Sequence, residues 1–333
     1  MKVVLRVLLA LVVLWSGLWW GAGFLVRSSI SSWFEMRAAE GWRAEFADMT
    51  SGGFPTRHLT TLESPALADP ATGAAWQADS LDFESGAIWP GRITARFAQT
   101  PQRLSYFDQT VALTADGMEA DLHLKPGAAL ELERMALTSG AWAMTGDDEP
   151  LLKADTLTVA MDQQDIAETY HFDIQADQFT PGPQMRRFLR GSERLPDAFD
   201  ALQLDMTVTF DRPWDRAALE ERRPQPVAID LTLVEAQWGA LRILAAGDLD
   251  VDQTGVPTGS ITIKAENWRE MLVIAQKSGA LPRDTVGPIE RALNLISGLG
   301  GNPNALDVKL NLRDGFIAVG PIPLGQAPRI ILR

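Results

Sequence analysis

The 333-residue sequence contains no cysteine, three histidines, two tyrosines, and six lysines against 24 arginines. Without cysteine there is no thiol nucleophile, no Cys-ligated zinc or iron–sulfur cluster and no disulfide staple. His58, His123 and His171 have no second histidine or cysteine at metal-ligand spacing, so each reads as a structural residue. Positive charge is in the minority, 30 Lys+Arg against 43 Asp+Glu, for a net charge of −13. Nucleic-acid binding rests on neutralising phosphates with a basic surface, so no nucleic-acid partner is expected. Also missing are a GxSxG elbow, a Walker A loop, an HExxH helix and a GxGxxG turn. The expectation is therefore a protein that is not an enzyme, with no cofactor, metal site or catalytic residue to assign.

What the sequence does contain begins with a composition of 46% hydrophobic and 22% charged residues, which excludes wholesale disorder. Residues 7–26 carry no charge and are rich in Leu, Val and Trp, and about twenty such residues cross a hydrocarbon core of roughly 30 Å. Lys2 and Arg6 precede the run, Arg27 ends it, Trp15 lies near its middle, and Trp19 and Trp20 stand where an aromatic belt is expected to meet the far interface. Two readings follow: a single-pass inner-membrane anchor with the rest of the chain in the periplasm, or a signal peptide cleaved near Gly21-Ala22-Gly23 to leave a soluble periplasmic protein. The apolar core continues through Phe24, Leu25 and Val26, which favours the anchor. Beyond it the chain carries 28 basic and 43 acidic residues, a net charge of −15.

Residues 28–40 have helix-compatible composition and are expected to form a short stalk. From Gly41 onward a period of two dominates, the mark of strands with one buried face. The clearest case is Leu202, Leu204, Met206, Val208 and Phe210, alternating with Gln203, Asp205, Thr207 and Thr209. Similar runs occupy residues 111–115, 118–124, 157–161, 172–176, 227–233, 249–251, 261–265 and 308–312. Tight reversals are expected at Gly52-Gly53-Phe54-Pro55, Ala115-Asp116-Gly117, Lys125-Pro126-Gly127, Gln253-Thr254-Gly255 and Arg313-Asp314-Gly315. More than a dozen strands with so few intervening helices predict a mainly β (α+β) fold: a large, curved antiparallel meander over residues 41–333. Covering helices are expected over residues 184–195, over 268–277 after an Asn267 N-cap, and from Pro282 to the Gly298 stop. The proline-bearing stretch 212–226 reads as a surface loop and an internal boundary.

Some residues could carry chemistry. Asp248, Asp250 and Asp252 resemble half a calcium loop, but Gln253 and Thr254 delay the glycine, so the solvent face of a strand is expected. Asp147-Asp148-Glu149 reads as a solvated turn. Trp33, Trp42, Trp76, Trp89, Trp142, Trp214, Trp238 and Trp268 either pack in cores or line an apolar groove.

An N-terminal anchor, then Gly41-Trp42, Gly52-Gly53-Phe54-Pro55 with Arg57, Trp89-Pro90, and Asp314-Gly315-Phe316 leading to Gly320-Pro321-Ile322-Pro323-Leu324-Gly325 together resemble an uncharacterised alphaproteobacterial family, domain of unknown function 2125. That resemblance implies an exported envelope protein without assigned functional residues. The stretch from Ala246-Gly247-Asp248-Leu249 to Gly259, followed by a helix, is similar in architecture to AsmA-like and YdgA-like anchored periplasmic proteins, some of which hold lipid chains on curved sheets. Two non-catalytic functions are expected. One binds lipid, acyl chains or another hydrophobic ligand on the apolar sheet face; the other is an assembly role in which the acidic surface recognises an envelope protein. A hydrolase using dispersed carboxylates ranks behind both.

Overall fold

The computed structural model describes every residue except 90, 147–148, 189–194, 280–286, 288, 292, 295–296, 298–303, 321 and 333. The chain divides into two compact units, Met1–Glu133 and Arg134–Arg333.

The first unit opens with α1 (Lys2–Ala39), whose 38 residues extend about 57 Å, nearly twice the hydrocarbon thickness of a bilayer. Its most apolar 18-residue window has a mean hydropathy of 2.1, and by length and composition it is able to cross a membrane. Val3, Leu9, Leu14 and the apolar side chains between them are exposed. The helix continues unbroken through the stretch expected to extend it as a short stalk. Those turns are packed, with Phe34 against Met49 and Leu62 and with Ile30 and Trp33 beside it. Gly41 ends the helix at φ +93°, a conformation that costs glycine nothing. Its N–H donates to the Ala38 carbonyl at 3.1 Å and the Trp42 N–H to the Arg37 carbonyl at 3.0 Å, the paired bonds of a Schellman cap.

Ten strands follow: β1 (Arg43–Glu45), β2 (Asp48–Gly52), β3 (Arg57–Glu63), β4 (Ala66–Asp69), β5 (Ala74–Gln77), β6 (Ser80–Gly86), β7 (Arg92–Phe97), β8 (Gln102–Tyr106), β9 (Gln109–Ala115) and β10 (Glu119–Leu124). They form two antiparallel layers, β2-β3-β6-β7-β10 and β1-β4-β5-β8-β9. Consecutive strands β3/β4, β5/β6, β7/β8 and β9/β10 do not pair with each other; the chain leaves one layer and enters the next. At these crossings the backbone closes with Ser64 N–H to Asp79 O at 2.8 Å, Ala78 N–H to Pro65 O at 3.1 Å and Phe97 N–H to Met118 O at 3.0 Å. Small buried residues sit there, Ala78 at 3%, Ala98 at 9% and Ala115 at 3% exposure, because a bending strand brings its inner side chains together. Ala115-Asp116-Gly117 is therefore a layer change rather than the expected reversal: β9 pairs with β8 and β10 with β7. Bend and reversal use the same turn residues, so composition did not separate them.

The second unit repeats the device and then drops it. β11 (Leu132–Ser139), β12 (Trp142–Gly146), β13 (Glu149–Ala154), β14 (Thr156–Gln163), β15 (Thr169–Asp177) and β16 (Thr180–Pro181) alternate between layers. After α2 (Pro183–Phe188) come β17 (Ala201–Phe210), α3 (Arg216–Glu220), β18 (Pro226–Trp238), β19 (Leu241–Val251), β20 (Pro257–Glu266), α4 (Trp268–Ser278), β21 (Ala305–Arg313), β22 (Phe316–Val319) and β23 (Ile322–Gln326). These later strands stay in one layer, ordered β11-β14-β15-β17-β18-β19-β20-β21-β22-β23, an antiparallel meander. Each of the nine alternating runs lies in a strand, Met118 preceding β10 by one residue.

The expected helix at 184–195 is observed as α2 up to Phe188, and residues 189–194 lie outside the described set, as does much of the helix expected from Pro282. Asn267 does precede α4, but it takes a left-handed conformation and makes no side-chain cap. Its amide instead donates to the Ala240 carbonyl.

Candidate functional site

Two surfaces have the chemistry of a ligand or membrane site, one in each unit. In the second unit the register aligns apolar side chains into rows that cross the meander. One row is Val159, Ile174, Leu204, Val234, Ala245, Ile263 and Val308, each the direct cross-strand partner of the next. A parallel row starts Met161, Phe172, Met206, Leu231 and reaches Ile261 and Leu310 through Gly247. The bulge between Leu231 and Val234 keeps both rows on one face across β18. At the β20–β21 end α4 covers this face, with Trp268 at 2% exposure and Leu272 at 9% packed on Ala265, Leu306 and Val308. Towards β14 most of both rows is half-buried: Val159, Ile174, Leu204, Met206, Leu231 and Val234 each retain contact with solvent, while Met161 on β14 is buried at 5% exposure.

The opposite face is polar and cross-linked. Gln203 Nε2 donates to Glu235 at 2.9 Å, Arg242 pairs with Glu235 at 2.8 Å, and Thr156 donates to Asp177 at 2.7 Å. His171 lies here, its Nδ1 3.4 Å from the Thr207 hydroxyl and 3.8 Å from Asp205.

In the first unit a cleft of about 990 Å³ opens between α1 and the β2–β3 hairpin. Its wall includes Trp20, Phe24, Phe54 and Leu59, and its polar lining includes Arg27 and His58. The hairpin is clamped to the helix. The Trp15 indole donates to the Pro55 carbonyl at 3.0 Å and the Trp19 indole to the Arg57 carbonyl at 2.9 Å. Trp19 stacks on His58 with ring centroids 4.9 Å apart and meets Phe54 edge-on at 5.4 Å. Gly53 holds φ +94°, and a Cβ there would stand 2.7 Å from the Arg57 carbonyl oxygen, so the tip requires glycine. His58 is 5% exposed, and burial pushes its imidazole below the usual range. Its Nε2 has no hydrogen-bond partner among the described residues. Beside the cleft, hydrogen bonds from Arg96 and Arg57, both at 2.7 Å, hold the Glu84 carboxyl below the ordinary carboxylate range.

Trp19, expected in an aromatic belt, and Trp15 thus use their N–H groups on the hairpin, whereas Trp20 stays exposed. No sequence signal marked this contact, because its partners lie about 40 residues apart. The other tryptophans are dispersed. Trp268 and Trp238 belong to separate cores, Trp238 donating to Pro196 O at 2.8 Å and stacking on Phe199 at 4.6 Å. Trp33 and Trp42 flank Arg37, Trp76 donates to Gln102 at 2.9 Å, Trp142 donates to Thr156 O at 3.4 Å, and Trp214 packs edge-on to Phe210. His123, half-buried, faces Arg92 across β7. Of the acidic triplet, Asp252, one residue past β19, accepts from Val256 N–H, the Thr254 hydroxyl and Thr254 N–H, which organises the β19–β20 turn and lowers its own pKa. Asp248, opposite Ser260, and Asp250 are both exposed, as expected for the solvent face of a strand. Glu149 pairs with Arg187 at 2.9 Å, while residues 147–148 lie outside the described set.

No curated protein matches the chain. A family model described as an uncharacterised protein conserved in bacteria, DUF2125, matches residues 19–328, from the cleft tryptophan Trp19 through the last strand, and the chain belongs to that family.

Proposed function

We propose that this is a non-catalytic, single-pass envelope protein of the inner membrane, its β-rich part in the periplasm, that holds a lipid acyl chain or similar hydrophobic ligand on the apolar face of the second unit's sheet. The observation that carries this reading is the pair of register-aligned apolar rows, buried under α4 at one end and half-buried along β15 to β18. A sheet face closed by a second layer would bury Leu204 and Leu231 as fully as Val308. A face that receives a removable ligand leaves them partly accessible. The non-catalytic part is supported by how the carboxylates are engaged: Glu84 lies between two arginines, Glu235 between Gln203 and Arg242, and Asp252 caps its own turn.

Photo-cross-linkers at Leu204 and Leu231 in the full chain should label membrane lipid in cells, and extraction of purified protein should recover it in fixed proportion. Absence of lipid from both measurements overturns the reading. The net charge of −15 beyond residue 26 favours a second role, docking of a basic envelope protein, which predicts stoichiometric capture that weakens as salt rises.

A further inference from the structure

The clamp between α1 and the β2–β3 hairpin constrains where a membrane can lie. Helix residues 15 and 19 are bonded to the carbonyls of Pro55 and Arg57, so the hairpin tip and this part of the helix share one depth. If the bilayer covered residues 7–26, Trp15 would lie about 12 Å along a core of roughly 30 Å, close to its midplane. The tip would then carry the Arg57–Glu84–Arg96 ion pairs deep into hydrocarbon, where charged groups are costly. A membrane centred nearer the N-terminus removes the conflict. Residues 3–19 span about 24 Å, near the lower end of the crossing range, and Lys2 and Arg6 can extend to the near interface. Trp15, Trp19 and Trp20 then stand at the far interface, with the hairpin tip beside them.

The tips are suited to that place. Phe54 is 51% exposed, and the neighbouring β6–β7 loop presents Ile88 at 87% and Trp89 at 39%. The two loops are joined by Ala87 N–H donating to Thr56 O at 3.0 Å. Four of the tip carbonyls are supplied from within the protein. Gly53 O accepts from Arg57 N–H at 3.0 Å, Pro55 O from Trp15, Thr56 O from Ala87 and Arg57 O from Trp19. Irregular backbone survives at membrane depth only where its polar groups are paired in this way. We propose that the β2–β3 tip at Phe54 and the β6–β7 tip at Ile88 and Trp89 insert into the lipid leaflet that α1 enters, so that the first unit is held against the bilayer at several points instead of hanging from a tether.

The absence of cysteine makes the test direct. Single Phe54→Cys, Ile88→Cys and Asp108→Cys variants of the full chain, labelled with a polarity-sensitive fluorophore, are reconstituted into phosphatidylethanolamine–phosphatidylglycerol vesicles. Nitroxide-labelled lipid should quench the labels at positions 54 and 88 several-fold more than the label at 108, on the exposed β8–β9 turn, while aqueous iodide should do the reverse. Ile88 is so exposed that its replacement leaves the fold intact, which keeps the test decisive if the Phe54 variant fails to fold. Iodide access at position 88 equal to that at position 108, with no lipid quenching, overturns the proposal. The readout is independent of ligand binding at Leu204 and Leu231.

Discussion

Leu204→Asp separates a ligand-accepting face from a closed core. Leu204 sits between Ile174 on β15 and Val234 on β18 and is half-buried. Full burial of a leucine is worth roughly 1.5–3 kcal/mol, so losing this one costs about 1 kcal/mol. A carboxylate that still reaches water from that position adds about 1 kcal/mol, well short of the several kcal/mol that a fully buried, unpaired charge demands. The sum, about 2 kcal/mol, lowers the Tm by roughly 4–8 °C in a unit of this size. Trp268→Ala supplies the scale for true core, since at 2% exposure its truncation costs about 3–5 kcal/mol. Thermal unfolding of both variants, followed by near-ultraviolet circular dichroism on full-length protein in one detergent, compares them directly. The Leu204→Asp protein should stay folded, fall less than Trp268→Ala, and lose lipid labelling from a cross-linker at Leu231. A loss of stability as large as that of Trp268→Ala, or no folded protein, would refute the argument by showing that the row is core.

Other perturbations test local parts of the account. Gly53→Val should lower stability by about 2 kcal/mol or more through its positive φ and the contact with the Arg57 carbonyl, and urea midpoints check this. Burial keeps His58 neutral in the fold, whereas the unfolded chain takes up a proton near pH 6.5. Stability should therefore fall as pH drops below that value, and His58→Phe, which preserves stacking on Trp19, should flatten the Tm profile between pH 7 and 5; unchanged slopes would contradict the assignment. Glu84→Gln should cost about 1 kcal/mol or less at neutral pH. Because the folded carboxyl is held low, that difference should persist above the ordinary glutamate range and vanish as acid titrates Glu84 itself. Tyr170→Phe leaves the Trp214 N–H and the Gln163 amide without the hydroxyl that accepts them at 3.0 and 3.2 Å, and chemical denaturation should register about 1–3 kcal/mol.

By itself the sequence determined nine of the strands and the anchor-like helix. Alternation is a local property: Leu202 to Phe210 can bury only one face as an extended strand, and the uncharged run at 7–26 has no stable aqueous conformation that hides it. The Gly41 stop belongs in the same class, since a positive φ after a helix favours glycine whatever lies elsewhere. Tertiary structure decided which strands meet. Ser64-Pro65 and Ala115-Asp116-Gly117 have turn composition, yet both carry the chain between layers, because each strand's partners lie on other segments. It also decided the register that lines up Val159, Ile174, Leu204 and Val234, an alignment that no single strand records. The indole donors of Trp15 and Trp19 found carbonyls on a hairpin about 40 residues away, so Trp19, legible in sequence as part of a membrane belt, became with Trp15 a clamp between helix and hairpin. A hydrogen bond at that separation is a product of packing, and only the folded chain brings its two ends together.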